Sequence, residues 1–456
     1  MQYRLLKILL SFILIIPGVL LAQSGQVLTL DDCINLGLDH NQTLMINRFE
    51  TDRSISQAKS NVSMILPQVS FSMGARSSGM PGPLYGLGQD TLNVVSGQGD
   101  IIYLSPELTG DYGDMVWRDN YTMSLSLTQN IWDGGRWWNT LKSAKVAQDA
   151  ADIQLSLFEL NTIYQVKVSF YSYLSTLKLL DVYQENLITS KYQHQLTLER
   201  FRLGAASQND TLRTRVNIEQ ARLQIINGQT DLQLNTRELN IILGRDSDKP
   251  LSLQIPTWEA VAIPEMRDIL DEVLTTNPEL QLLDRNKKVS DYNIKISRSD
   301  YIPSLGLSAS YSNGNGSATF GDAFESNTAI LATGVNLSWN IFNGTRTKRG
   351  VEQSKISAKI ARENFDLAER NLRKNLAQSL EQMGTLRESV AISQLILDAS
   401  AQDLLLAQEQ YKIGSLSVLD VLRITASYED AKSGLIRAQY NLKLAEAGLH
   451  QLMGKR

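Results

Sequence analysis

Two hydrophobic rhythms divide this chain. Val69, Phe71 and Met73 alternate with Gln68, Ser70 and Ser72, and Tyr121, Met123, Leu125 and Leu127 alternate with Thr122, Ser124, Ser126 and Thr128. That period of two marks strands with one apolar and one small polar face. It returns at Leu305, Leu307, Ala309 and Tyr311 and at Val335, Leu337, Trp339 and Ile341. The pattern predicts two hairpins, with strands over about 68–76, 121–131, 304–312 and 328–341. Elsewhere the rhythm is helical. Proline-free runs restart after Gly134-Gly135 and after Gly344 and predict long helices over about 135–203 and 345–413, each about 100 Å long at the helical rise. Partner helices follow over 207–243 and 417–453. In the second, Val421, Ile424, Tyr428, Ala431, Leu435, Ala438, Leu442, Ala445, Leu449 and Leu452 step by threes and fours, a heptad seam that predicts a coiled coil. A shorter helix over 41–66 ends at Pro67, because proline removes a donor and pushes its predecessor out of helical space. End to end, a short helix and a partner helix nearly match one long helix.

The chain also contains itself twice. An offset of 210 aligns residues 131–136 with 341–346, 201–204 with 411–414 and 243–244 with 453–454, without a gap. Upstream the offset is 236 and pairs Asn41 with Asn277, Leu44 with Leu280 and Pro67 with Pro303, so the first copy carries 26 extra residues between Pro67 and Ile131. This gives a first repeat over 23–244, a linker over 245–264 that looks like a strap, and a second repeat over 265–456. Glycine-containing tips at 203–207 and 413–417 end the long helices. Similar units in tandem suggest a ring-like object rather than an enzyme cleft.

The N-terminus carries Arg4 and Lys7, an apolar run over 8–21 and then Ala22, the order of an export signal over 1–22. A membrane anchor is the competing reading, but Pro17-Gly18 interrupts the short run. The only cysteine, Cys33, excludes an internal disulfide and lies too far from the cleavage point for lipidation. No later segment offers some 18 uncharged apolar residues in a row, so strands are the elements left to cross a membrane. Strands of about 8–11 residues with an uncharged polar face suit a bilayer and a wet lumen. A soluble sandwich would alternate in the same way. Trp132, Trp137, Trp138, Trp339 and Phe342 favour the membrane because they cluster at the strand ends, as an interfacial girdle in contact with outer-membrane lipid would. The far loops, 76–120 and 312–327, are rich in Gly, Asp and Ser, as solvated loops are.

Net charge is −4 and the sequence pI is about 5.6; without a Lys/Arg-dense stretch, nucleic acid is excluded as a partner. His40, His194 and His450 are isolated, so no Cys/His metal spacing arises and no cofactor is implied. No phosphate-binding loop occurs either, so export energy would come from a partner. An enzyme is not expected.

An exported tandem repeat of short helix, Pro, strand pair, Gly, very long helix, Gly tip and second helix resembles the TolC-like outer-membrane efflux proteins over nearly the whole mature chain. The tips carry the resemblance: Phe201-Arg202-Leu203-Gly204 with Asp210, and Tyr411-Lys412-Ile413-Gly414 with Asp420. It implies a mainly α fold with a small membrane β-barrel. Four strands per chain in a homotrimer would give a 12-stranded barrel continued by a 12-helix coiled-coil tunnel in the periplasm of a Gram-negative cell. Strand closure alone does not choose three chains, since two would reach the known minimum of about eight strands. The implied role is a passive outer-membrane export duct coupled through a periplasmic adaptor to an inner-membrane transporter of RND, ABC or MFS type. A pore-free structural coiled-coil protein is the alternative, and it leaves the paired strands unexplained.

By position relative to the tip glycine, Asp420 matches the family's pore-ring aspartate, while Tyr411 and Asp210 match a pair that latches the inner coil to the outer. The chain departs from the family at Arg423, where some members place a second ring acid, and at Leu416, where some place an arginine of the latch. A competing reading makes both aspartates helix caps, because Ser207 precedes Asp210 and Ser417 precedes Asp420 by three residues. The two roles can coexist. Leu203, Gly204, Ala205 and Ser207, with Ile413, Gly414, Ser415 and Ser417, are the expected adaptor-docking tips.

Overall fold

The computed structural model describes residues 27–81, 115–257, 262–313, 319–321 and 329–455. The expected signal over 1–22 and most of the two far loops lie outside these residues. Contacts divide the chain into two units. One holds the described residues up to Ile55, Gln148–Asn286 and those from Ala361 onward; the other holds Ser56–Ala147 and Lys287–Ile360.

In chain order the elements are α1 (Leu30–His40), α2 (Gln42–Ser60), β1 (Gln68–Pro81), β2 (Met115–Asp133), α3 (Arg136–Arg202), α4 (Gln208–Ile242), α5 (Met266–Thr276), α6 (Pro278–Arg298), β3 (Ser304–Asn313), β4 (Ala329–Ser338), α7 (Arg346–Ile413) and α8 (Val418–Leu452). The two rods, α3 and α7, are 67 and 68 residues long. Gly350 and Gly384 lie inside α7 without breaking it. One 18-residue window of α7 is apolar enough to span a membrane by composition alone. Its rod shows exposed Ile392, Leu395, Ile396, Leu405 and Leu406 interrupted by Asp398 and Asp403, the form of a packing stripe rather than an uncharged span.

The second unit holds one antiparallel sheet in the order β1-β2-β3-β4. Its register stacks like on like. Ser70 faces Ser126 and Ser72 faces Ser124, each pair with hydroxyls 2.7 Å apart. Leu125 lies opposite Phe71 on one side and Tyr311 on the other, and Leu307 lies opposite Val335. One face is therefore small and polar, while Val69, Phe71, Leu307, Val335 and Leu337 are exposed on the other. A bulge between Asn130 and Trp132 shifts the β2–β3 register and puts Asp133 opposite Ser304. β4 stops at Ser338 although the alternation runs to Ile341, because Trp339 leaves the ladder and its indole donates to the Tyr301 carbonyl at 3.2 Å. Both rods restart from left-handed residues, Gly134-Gly135 and Gly344-Thr345. Thr345 at φ 70° is the β-branched counterpart of Gly135 and holds a conformation that costs about 1–2 kcal/mol.

In the first unit the duplication is visible in single bonds. Asn41 ends α1, caps α2 by accepting from the Leu44 amide at 2.9 Å, and donates to the last α4 carbonyl, Ile242, at 2.8 Å. Asn277 repeats this between α5, the Leu280 amide at 3.1 Å and the Leu452 carbonyl at 2.9 Å. Two cores follow the same plan. Val166, Phe170 and Leu174 of α3 pack on Cys33, Leu239 and Leu243; Leu372, Leu376 and Met383 of α7 pack on Val273, Leu449 and Met453. The linker is tied to the chain start by a parallel bridge between Leu28 and Leu253.

Candidate functional site

The tips are built by local chemistry. At the first, the chain leaves α3 through Leu203 and turns at Gly204, whose φ of 73° suits a residue without Cβ. Ala205 then donates to the Arg200 carbonyl at 2.7 Å. Ser207 starts α4 with a complete capping box: its hydroxyl accepts from the Asp210 amide at 3.1 Å, and the Asp210 carboxylate accepts from the Ser207 amide at 3.0 Å. The backbone bond from the Ser207 amide and, after it, the Ser207 hydroxyl donating to the same carboxylate at 2.8 Å hold the Asp210 carboxyl below its ordinary pKa. At the second tip Gly414 turns at φ 84°, Ser415 donates to the Gln410 carbonyl at 2.9 Å, and Ser417 caps α8. The Ser417 hydroxyl accepts from the Asp420 amide at 3.2 Å and donates to its carboxylate at 2.6 Å, without the backbone half of the box. Leu203 and Ile413 are 83% and 81% exposed, the same apolar residue class presented at both turns.

Tyr411 is 3% exposed and lies in a small core with Val418, Val421 and Leu196. Its hydroxyl is 2.9 Å from Thr197 Oγ1. Thr197 donates to the Gln193 carbonyl at 2.8 Å, so the tyrosine supplies the proton of the shared bond. The Arg200 guanidinium lies 4.5 Å from the Tyr411 ring centroid and also donates to the Tyr411 carbonyl. Tyr411 thus ties α7 to α3. Asp210 is engaged by Ser207 and is not bonded to Tyr411, so the two residues meet separate partners.

Sequence reasoning missed Thr197 and Arg200. One signal was available: Asn186, Ser190, Gln193 and Thr197 step by four, three and four along α3 and are all buried, so polar residues occupy a seam where apolar ones are usual. Asn186 and Ser190 open a ladder to α4, Asn186 donating to Gln224 at 3.3 Å and Ser190 accepting from Asn217 at 2.8 Å, and the neighbouring His194 continues it 2.7 Å from Thr214. Of the expected interface aromatics, Trp132, Trp138, Trp339 and Phe342 are exposed, whereas Trp137 is half-buried edge-on against Trp138 at 5.4 Å. Among the described residues no group of His, Cys, Asp and Glu could hold a metal.

The profile of the outer membrane efflux protein family matches residues 33–245 and 269–455, both repeats and most of the chain. The chain belongs to that family. Outer membrane efflux protein BepC of Brucella suis biovar 1 is 23% identical over 358 residues, 77% of each chain. Outer membrane protein TolC of Escherichia coli K12 is 23% identical over 341 residues, 73% of this chain and 69% of TolC. A crystal structure of CusC superposes with a TM-score of 0.77 at 17% identity, covering 94% of this chain and 92% of CusC. The fold is that of TolC-type outer-membrane channels, and the protein is an export duct of the Gram-negative outer membrane with a periplasmic helical part.

Proposed function

We propose that this efflux protein works as a homotrimer, in which three sheets join edge to edge into a twelve-stranded barrel and the rods continue as a twelve-helix tunnel. The observation that carries this reading is the four-stranded sheet, open at β1 and β4, with an exposed apolar face and a face of mostly small polar residues that Arg76 joins toward the hairpin end. Unpaired edges are untenable in lipid, and closure by further copies satisfies them. Channels of the TolC type are trimeric and act with adaptors and inner-membrane transporters. The finer assignments rest on position and chemistry. The two tips, with exposed Leu203 and Ile413, receive a periplasmic adaptor that links the duct to an RND, ABC or MFS transporter. The exposed aromatics at the strand ends meet outer-membrane lipid, and Asp420, Asp210 and Tyr411 govern the periplasmic mouth.

Planar-bilayer recording of the purified protein tests the duct, with discrete conductance steps expected; a protein that never conducts is a structural rod. Three Asp420 carboxylates around a narrow mouth would concentrate cations. Asp420→Asn keeps a side-chain acceptor near the start of α8 and is expected to lower cation selectivity and block by multivalent cations. Unchanged selectivity with only a lower melting temperature would restrict Asp420 to capping.

A further inference from the structure

Charge is unevenly distributed in this chain. The helical and turn segments next to the strands, residues 56–66, 134–147, 287–303 and 342–360, hold 13 Lys/Arg and 3 Asp/Glu. Helices α4 and α8 each carry four basic and four acidic residues, and the whole protein has a net charge of −4. The excess is therefore confined to the part of the second unit that continues from the sheet.

Part of it is engaged locally, Lys287, Lys288 and Asp291 included. Asp300 pairs with Arg136 and Glu352 with Arg349, while among the described residues Arg298, Arg346 and Lys348 carry no ion pair and are exposed. Arg346 and Lys348 lie in the first turn of α7, the first helical residues after β4 ends at Ser338, and exposed charges act over a Debye length of about 8 Å at physiological salt. Lys142, one and a half turns into α3, holds its ammonium 5.2 Å from the Trp138 ring centroid. An exposed tryptophan beside a long cationic chain is the arrangement of a residue pair at headgroup depth.

We infer that this basic collar binds the anionic phospholipid headgroups of the periplasmic leaflet of the outer membrane. The inference rests on the outer-membrane location of the family. A cluster of cations at the foot of a membrane-spanning element attracts phosphate-bearing lipid through charge, without a shaped pocket. Zwitterionic headgroups, with no net charge, compete poorly.

The test uses the full protein in nanodiscs of phosphatidylglycerol and phosphatidylethanolamine, extracted gently and assayed for co-eluting lipid by mass spectrometry. The wild-type protein is expected to retain phosphatidylglycerol about threefold above its share of the mixture, and high salt should erase the preference. A combined Arg298→Gln, Arg346→Gln and Lys348→Gln variant should fall to the ratio of the mixture, with its trimer and conductance intact. A control with Arg213→Gln, Arg215→Gln and Arg222→Gln on α4 should keep the wild-type preference. No preference in the wild type, an unchanged preference in the collar variant, or an equal loss in the control overturns the inference. So does a collar variant that alters only ion selectivity, which would assign these charges to the lumen. Failure of the duct reading itself would show separately, as a wild-type protein without conductance steps.

Discussion

At the scale of single residues, the bond between Tyr411 and Thr197 is asymmetric, and the asymmetry can be measured. Tyr411→Phe removes the donor, but Thr197 keeps its own bond to the Gln193 carbonyl, so the loss should be about 1 kcal/mol. Thr197→Val removes the acceptor and leaves a buried phenol hydroxyl unpaired, at a cost of about 1–3 kcal/mol. In urea melts the valine variant should be the less stable of the two, and adding Tyr411→Phe to it should restore part of the loss. Purely additive losses would mean that the hydroxyls do not share this bond. Tyr411→Phe should also raise single-channel conductance, since it weakens the tie between α7 and α3. The capping role of Ser207 and Asp210 was legible in the sequence because it spans three residues. The partner of Tyr411 was not, because Thr197 lies 214 positions away and no local pattern encodes such a pairing.

At the scale of elements, Asn41 and Asn277 each join the ends of three helices, the backbone amide closing the first and the side chain bonding to the other two. Asn41→Ala should lose the cap of α2 and also strand the Ile242 carbonyl, a combined cost of about 2 kcal/mol. Asn41→Ser keeps an uncharged acceptor for the Leu44 amide and loses the donor to Ile242, so its cost should be smaller; thermal melts of both variants, and of the matching pair at Asn277, check this. Equal melting temperatures for the alanine and serine variants would count against the double role. The strands were legible by their alternation, yet β1 continues past Arg76 to Pro81 and β2 begins at Met115. There Ser77 pairs with Asp119 and Ser78 with Arg118. Ladder hydrogen bonds persist where neither face needs to be apolar, so the hairpin outruns its hydrophobic pattern.

At the scale of the whole molecule, stability should depend on pH through Glu429. Burial first, and the Asp430 charge second, raise its carboxyl to about 7 from an ordinary 4.5. Between those values the folded protein holds a proton that the unfolded chain releases, so this contribution is fully present below about pH 4.5 and is lost as pH rises through 7. Discounted for the solvent that still reaches the group, the loss is on the order of 1 kcal/mol. Glu429→Gln should flatten this slope and stabilise the protein at pH 8; an unchanged slope would locate the dependence elsewhere. Docking is also a whole-molecule property. Bulky residues at both Gly204 and Gly414 should abolish export in cells while leaving the trimer intact, and unaffected export would remove the tips from the adaptor interface. What the sequence determined by itself was everything repeated or periodic: the strand alternation, the rods, the glycine tips, the serine caps and the duplication, since each is written in spacings of two, three or four residues or in one constant offset. Tertiary structure alone decided the clasp of Tyr411 on Thr197 and Arg200, the polar ladder between α3 and α4, and the three-helix joints at Asn41 and Asn277. Those depend on which distant side chains packing brings within hydrogen-bond reach, and burial then makes a polar group left without a partner costly, so most of them find one, Gln193 Nε2 being an exception.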